Sequence, residues 1–237
     1  MDDDFVQYCG RTDSMGIECE KPELKRRIAE LEAQLAEAQK AAWFMLQRLR
    51  EACDGKMDKL SGFVEIDETF VGGKEANKHL HKKLRMGRGS VGKVAVIGLR
   101  ERGGRTLAMP VDSTDAETLH KVIHENVEVG STLITDEHTG YAGLNGLFFR
   151  HETVNHSAGE YARGMASTNA IESVWAVFKR GVYGTWHHVS PKHLARYVQE
   201  VTFRLNAGNV KEHTLDRLDS FIMAVDGKRL TYARLIA

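Results

Sequence analysis

The chain has 237 residues, of which 42% are hydrophobic and 28% charged, and its formal net charge is +0. This length and composition fit one domain of moderate size plus an accessory segment, with enough apolar residues for a core. No apolar run approaches the roughly 20 residues of a membrane span. The acidic start, MDDDFVQYCG, lacks the apolar region of a secretion signal. These features exclude a membrane protein and predict a cytoplasmic one.

The cysteines and the charges narrow the class further. Cys9, Cys19 and Cys53 are too few and too scattered for a disulfide framework, and they form no C-x-x-C pair typical of a closed zinc site. Residues 1–20 carry six carboxylates against one arginine, which leaves a basic excess elsewhere. The excess is densest in NKHLHKKLRMGRGSVGK, 77–93, which contains no acid. Such a run is usually a solvated loop, but it would also attract a phosphate backbone.

The N-terminal part is predicted to be an irregular segment followed by a helix. Residues 1–22 show no period and are expected to be poorly ordered. Residues 23–53 are predicted to be helical, because apolar side chains recur there at alternating spacings of four and three. A coiled coil that dimerises the protein and an amphipathic helix packed on its own domain remain alternatives. The stripe consists of Leu24, Ile28, Leu31, Leu35, Ala38, Ala42, Met45, Leu49 and Ala52.

From residue 60 the pattern changes to alternating strands and helices. Strands are predicted at VEIDETFV, GKVAVIGLRE, TLAMPVD, STLITDE and FFRHETVNH. Helices are predicted at DAETLHKVIHENV, TNAIESVWAVFKRG and SPKHLARYVQEVTFRLN, with Gly181 ending the second of them. This order predicts an α/β domain with a mixed sheet flanked by helices, in the ribonuclease H arrangement, followed by a helical tail at 211–237.

Three carboxylates stand out by their positions. Asp67 lies within the first strand, Asp136 at the end of the fourth, and Glu172 in the first turn of the next helix. An acid in an apolar strand costs desolvation energy unless it has a partner. Carboxylates held on such elements can bind Mg²⁺ for phosphoryl transfer on nucleic acid. The structural alternatives are an ordinary turn for Asp136 and a capping box between Asn169 and Glu172.

Several neighbours of these acids receive simpler interpretations. Alternation in the first strand predicts that Phe70 anchors it in the sheet, together with Val64 and Ile66, and that Asp67 faces the other way. Trp175 is interpreted as core packing. Lys179 lies two helical turns beyond Glu172 on the same face and could reach a phosphate, the alternative being a solvated surface lysine. Glu65 and Glu68, on either side of Asp67, receive no role.

Several long motifs occur in order from about residue 41 to the C-terminus. They are AWFMLQRLREA, VEIDETFVGGK, KVAVIGLRERGGR, LITDEHTGY, VNHSAGEYARG, TNAIESVWAVFKRGVYGTWHHVSPKHLARYVQEVTFRLN and GKRLTYARLI. Through them the sequence resembles the bacterial insertion-sequence transposases of the DDE type, in the group related to eukaryotic Merlin elements.

The resemblance implies a metal-dependent DNA transposase whose catalytic domain occupies residues 60–210. It implies that Mg²⁺ or Mn²⁺ binds to a triad of Asp67, Asp136 and Glu172, and that Lys179 assists catalysis. The expected partners are the DNA ends of the protein's own element, target DNA and further copies of the chain. The side chains expected to contact DNA are Lys82, Lys83, Arg85, Arg88, Lys179 and Arg180.

The N-terminus departs from the family pattern. Such transposases often begin with a zinc ribbon built on cysteine pairs, whereas residues 1–40 hold only Cys9 and Cys19. This module is therefore either replaced or truncated. The alternative functions are a defective or domesticated copy that binds DNA or partners without mobilising an element, a coiled-coil interaction protein whose ribonuclease H-like domain is inert, and a plain metal-dependent nuclease.

Overall fold

The computed structural model describes residues 20–55, 58–73, 77–84, 89–146, 149–154, 162–163, 166–207 and 213–236. The chain divides into two compact units, Met1–Gln47 and Arg48–Ala237. The described part of the first unit belongs to helix α1, Glu20–Ala52. This confirms the predicted N-terminal helix, while the acidic segment before it lies outside the described residues.

The second unit is built on a five-stranded mixed sheet. Its strands are β1 Phe63–Val71, β2 Val94–Glu101, β3 Thr106–Val111, β4 Thr132–Thr135 and β5 Arg150–Thr153. Across the sheet, the strand order is β3-β2-β1-β4-β5. β2 is antiparallel to β1 and β3, whereas β4 is parallel to β1 and β5. This is the ribonuclease H-like arrangement predicted from the order of the elements.

Helices flank this sheet, and a separate two-stranded ladder precedes one of them. The ladder pairs β6, Ala162–Arg163, with β7, Ala166–Ser167. The helices are α2 Ala116–Asn126, α3 Asn169–Gly181, α4 Leu194–Ala207, α5 Thr214–Val225 and α6 Tyr232–Ile236. No helix in the described ranges is both long enough and apolar enough to cross a membrane.

Alternation along β1 separates two hydrophobic clusters. Val64 and Ile66 belong to the cluster that includes the buried side chains of α2. The second cluster contains Val96 of β2 and the buried side chains of α3 and α4. Phe70 does not anchor β1 as predicted, because it is 39% exposed. It lies near the carboxyl end of the strand and lines a surface depression with Lys93.

Both ends of α3 differ from the sequence prediction. The N-cap is Thr168 instead of Asn169, which is the first helical residue. At the other end, the helical path does not stop at Gly181 but continues into a π-helical turn, Val182–Trp186. A Cβ atom at position 181 would lie 3.1 Å from the ring of Trp186. Glycine at this position therefore lets the aromatic ring approach the backbone closely, and it does not stop the helical path.

Candidate active site

Asp67 and Asp136 lie at the same level of two neighbouring parallel strands. The register of β1 with β4 pairs Glu65 with Ile134, so each aspartate lies two residues further along its strand direction. β4 ends at Thr135, and Asp136 is the next residue. Because β1 and β4 run in the same direction, the two carboxylates reach the same region of the sheet. Both side chains are only partly exposed.

Asp67 is held by two hydrogen bonds and perturbed by two other acids. The backbone N–H of Glu68 donates to Oδ1 at 2.8 Å, and the indole Nε1–H of Trp175 donates to Oδ2 at 3.0 Å. The pKa of Asp67 is raised to about 6, mainly by burial and in part by the negative charges of Asp136 and Glu172, against the lowering effect of the two hydrogen bonds. The three predicted ligands, which come from three different elements, are therefore electrostatically coupled.

Glu172 is exposed in the first turn of α3. The hydroxyl Oγ1 of Thr168 donates to Glu172 Oε1 at 3.3 Å. The predicted capping box with Asn169 is wrong, because Glu172 lies four residues after the cap residue Thr168. Its carboxylate is thus oriented by a hydroxyl of the preceding turn and remains open to solvent.

Glu65 fixes the start of α3 against β1. Its side chain is buried, and Oε2 accepts the backbone N–H groups of Ala170 at 2.9 Å and Ile171 at 3.2 Å. Its other oxygen, Oε1, accepts from Arg102 at 3.1 Å. A carboxylate is favoured at a helix N-terminus because it satisfies free N–H groups and complements the helix dipole. Glu65 therefore positions the turn that carries Glu172.

Glu68 fixes the segment that follows Asp136. The hydroxyl of Tyr141 donates to Glu68 Oε1 at 2.5 Å, and Tyr141 is buried in the 3-10 turn Thr139–Tyr141. Burial raises the pKa of Glu68, while this hydrogen bond lowers it. Sequence reasoning missed Glu65 and Glu68, and the available signal was the presence of two further acids on either side of Asp67 in an otherwise apolar strand.

Trp175 does more than pack the core. It is buried as predicted, and it also donates the hydrogen bond to Asp67. Its ring occupies the space above Gly98 of β2, which pairs with Asp67 across the sheet. A Cβ atom at Gly98 would lie 2.6 Å from the ring of Trp175. The missing side chain at Gly98 therefore allows the indole to lie within reach of the carboxylate.

The predicted basic side chains are distributed unevenly around this region. Lys179 is exposed in the last turn of α3 and lines a cavity of about 140 Å³ with Gly72, Gly73 and His188. Arg180, also exposed, donates from Nε to the carbonyl of Ala176. Lys83 is partly exposed after the 3-10 turn Leu80–Lys82. Arg85, Arg88 and the side chain of Lys82 lie outside the described residues.

The carboxylates fit a hard divalent cation by their chemistry. Mg²⁺ prefers oxygen ligands, keeps several waters and uses one or two carboxylates per ion. A cation here would offset both the burial of Asp67 and its repulsion by Asp136 and Glu172. Within the described ranges, no group of three or more histidine, cysteine or acidic side chains is arranged so that it could hold a metal ion. The fit therefore rests on donor type and on electrostatic coupling.

Comparison with known proteins identifies the family. The ISXO2-like transposase domain matches residues 59–206, which include the five-stranded sheet and most of α4. The chain belongs to the ISXO2-like transposase family. This confirms the resemblance to insertion-sequence transposases that the sequence motifs indicate. The matched segment contains Asp67, Asp136, Glu172 and Lys179.

Two individual proteins are also similar to this chain. An uncharacterized protein in the transposable element ISH50 of Halobacterium salinarum is 28% identical over 167 residues, covering 66% of this chain and 57% of that protein. The chain thus spans less than two thirds of this relative's length. A chain in the cryoEM structure of the simian T-cell lymphotropic virus intasome with PP2A regulatory subunit B56 gamma has a TM-score of 0.39 and 12% identity. That likeness covers 75% of this chain and 58% of the other.

Proposed function

We propose that the protein is a Mg²⁺- or Mn²⁺-dependent DNA transposase that cleaves and joins strands at the ends of an insertion sequence in the cytoplasm. Membership of the transposase family supports the general activity. The observation that carries the finer proposal is geometric: the register of β1 with β4 brings Asp67 and Asp136 to the same region of the sheet, and Trp175 of α3, the helix that also carries Glu172, donates to Asp67. In this proposal Asp67 and Asp136 would hold the metal ions together, and Glu172 would complete the second site.

The reaction is in-line displacement at phosphorus. In cleavage, a water oxygen bonds to phosphorus and the 3′-oxygen of the cut strand leaves with a proton. In joining, that 3′-hydroxyl attacks a target phosphate, and the target strand's own 3′-oxygen leaves. When bound, divalent metal ions activate the attacking oxygen and stabilise the leaving one.

The chain's own contribution is to hold the acids in place before DNA arrives. Trp175 and the Glu68 N–H fix both oxygens of Asp67. Glu65 fixes the start of α3, and the Glu68–Tyr141 hydrogen bond fixes the turn after Asp136. Such preorganisation lowers the cost of arranging ligands during the reaction.

The basic side chains would hold the DNA backbone. Lys179 and Arg180 are exposed in the last turn of the helix that begins beside Glu172, and Lys83 is partly exposed. With Lys82, Arg85 and Arg88 they would neutralise phosphates, so binding should weaken steeply with salt. Replacing Lys179 with Gln should make the negative slope of log affinity against log salt concentration shallower by about one.

The test uses the purified full chain and a duplex that contains the inverted repeats flanking its gene. With Mg²⁺ or Mn²⁺ the protein should nick this duplex and join it to target DNA, while Ca²⁺ should support binding alone. Asp67→Ala and Glu172→Ala should abolish both reactions. Glu117→Ala is the matched control for Glu172→Ala, because Glu117 is also an exposed acid in a first helical turn. Full activity of Glu172→Ala would refute the triad, and binding without cleavage would favour a defective copy.

A further inference from the structure

Helix α1 presents an apolar stripe to solvent between residues 24 and 45. Leu24, Ile28, Leu31, Leu35 and Met45 are each between 48% and 63% exposed. In proteins, most of the stability of a helix comes from packing its apolar face against another surface. The stripe is therefore a surface that a partner would be expected to cover.

The charged residues of α1 are sorted around this stripe. With Ile28 at heptad position a, Leu24 and Leu31 take position d, a choice typical of two-stranded coiled coils. Arg26 forms ion pairs with Glu23 at 2.6 Å and with Glu30 at 2.9 Å. Those three residues fall at positions f and c, on the side of the helix opposite the stripe. The salt bridges therefore leave the apolar face uncovered.

The positions that flank the stripe carry charges of opposite sign. Arg27 falls at g and Glu32 at e, five residues later, which are the two positions that face each other in a parallel pair of helices. Glu32 is exposed and makes no ion pair within the described part of the chain. Arg27 pairs only at 3.3 Å with Glu30 across an exposed surface, a contact of little energetic value. An antiparallel pair would set g against g, where Arg27, Gln34 and Ala41 include no acid, and e against e, where Lys25 and Glu32 have opposite charges. Of the two arrangements, the parallel one gives Arg27 an acidic partner at a flanking position.

We propose that residues 24–45 form a parallel, in-register, two-stranded coiled coil with the same segment of a second copy. Each dimer then contains two interhelical pairs between Arg27 of one copy and Glu32 of the other. The alanines at 38 and 42 fill a and d positions with small side chains, so affinity comes mainly from the apolar residues before them. This inference does not rest on the proposed chemistry, and Asp67→Ala protein should dimerise like wild type.

Sedimentation equilibrium of the full chain tests the surface. Wild type should be a dimer at micromolar concentration, and Ile28→Glu/Leu31→Glu should be a monomer. Ala29→Glu/Ala33→Glu, which adds the same charge on the opposite face, should remain a dimer. A monomeric wild type, or a core variant as dimeric as wild type, would overturn the proposal.

Two further pairs of variants test the register and direction of the helices. In protein whose native cysteines are replaced by Ser, Ala38→Cys should form an interchain disulfide on oxidation, whereas outward-facing Ala36→Cys should not. Arg27→Glu should raise the dimer dissociation constant at least tenfold, and Arg27→Glu/Glu32→Arg should restore it. Equal cross-linking at 36 and 38, or a reversed pair no better than the single variant, would rule out this arrangement.

Discussion

Trp175 donates its indole N–H to Oδ2 of Asp67 at 3.0 Å, which joins α3 to the middle of β1. The contact depends on Gly98, which leaves room for the indole ring. It gives one buried aromatic residue two roles, packing the helix on the sheet and orienting a proposed metal ligand. Removing this hydrogen bond while an aromatic ring stays in place should therefore lower the rate of DNA cleavage more than the stability of the fold.

Trp175→Phe should lower the rate of DNA cleavage by about 10- to 100-fold, as expected when a group supporting a metal ligand is lost. DNA affinity in Ca²⁺ should stay within about twofold, because the phenyl ring retains most of the packing. Single-turnover cleavage and fluorescence anisotropy measure the two effects. Phe178→Leu is the control, since Phe178 is buried on the same helix. Equal rate losses in both variants would mean that Trp175 acts only through packing.

Glu65→Ala should lower the free energy of unfolding by about 2–4 kcal/mol, because it removes the acceptor of two N–H groups of α3 and the ion pair with Arg102. Urea denaturation of the metal-free protein measures this. The exposed Glu117→Ala should change stability by less than about 0.5 kcal/mol. A Glu65→Ala variant as stable as that control would contradict the assigned role.

Gly98→Ala should destabilise the protein by about 1–3 kcal/mol, since its methyl group would overlap the ring of Trp175. Because the indole must move, Asp67 should also lose its hydrogen bond and the variant should cleave DNA more slowly. Gly184→Ala is the matched change, as a Cβ atom there meets nothing within 4 Å. Thermal unfolding compares the two, and similar melting temperatures would show that the sheet adjusts freely.

The raised pKa of Asp67 predicts a pH dependence of metal-free stability. Its pKa is about 6 in the folded protein, above its ordinary value of 3.8. The carboxyl is neutral in both folded and unfolded chains below pH 3.8, and its favourable contribution is lost as the pH rises through 6. Asp67→Asn should therefore become more stable than wild type as the pH rises from 4 to 7, by on the order of 2 kcal/mol. A stability difference independent of pH would contradict this.

The sheet and its helices could be predicted because their signals are local. Alternation in VEIDETFV and the apolar spacing in AIESVWAVF follow from side-chain geometry within one element. The sequence places the N-cap of α3 at Asn169, one residue after the observed cap Thr168, since both residue types are suitable caps. Alternation places Phe70 on the same face of β1 as Val64 and Ile66, but it does not show that the elements packed on that face end before residue 70.

The supporting contacts of the site could not be predicted from local patterns. Glu65 bonds to Ala170 and Glu68 to Tyr141, and these residues are far apart in the chain. The indole of Trp175 meets Asp67 only because Gly98, on another strand, leaves space. Each contact depends on tertiary packing, which a sequence pattern does not report.

Direct measurement of Mn²⁺ binding by electron paramagnetic resonance tests the central claim, that Asp67, Asp136 and Glu172 together hold the catalytic metal ions. Wild type should bind Mn²⁺, and Asp67→Asn, Asp136→Asn and Glu172→Gln should each weaken binding at least tenfold, while Glu117→Gln should bind like wild type. If Asp67→Asn, Asp136→Asn and Glu172→Gln bound Mn²⁺ with the affinity of wild type, as the control does, the claim would be contradicted.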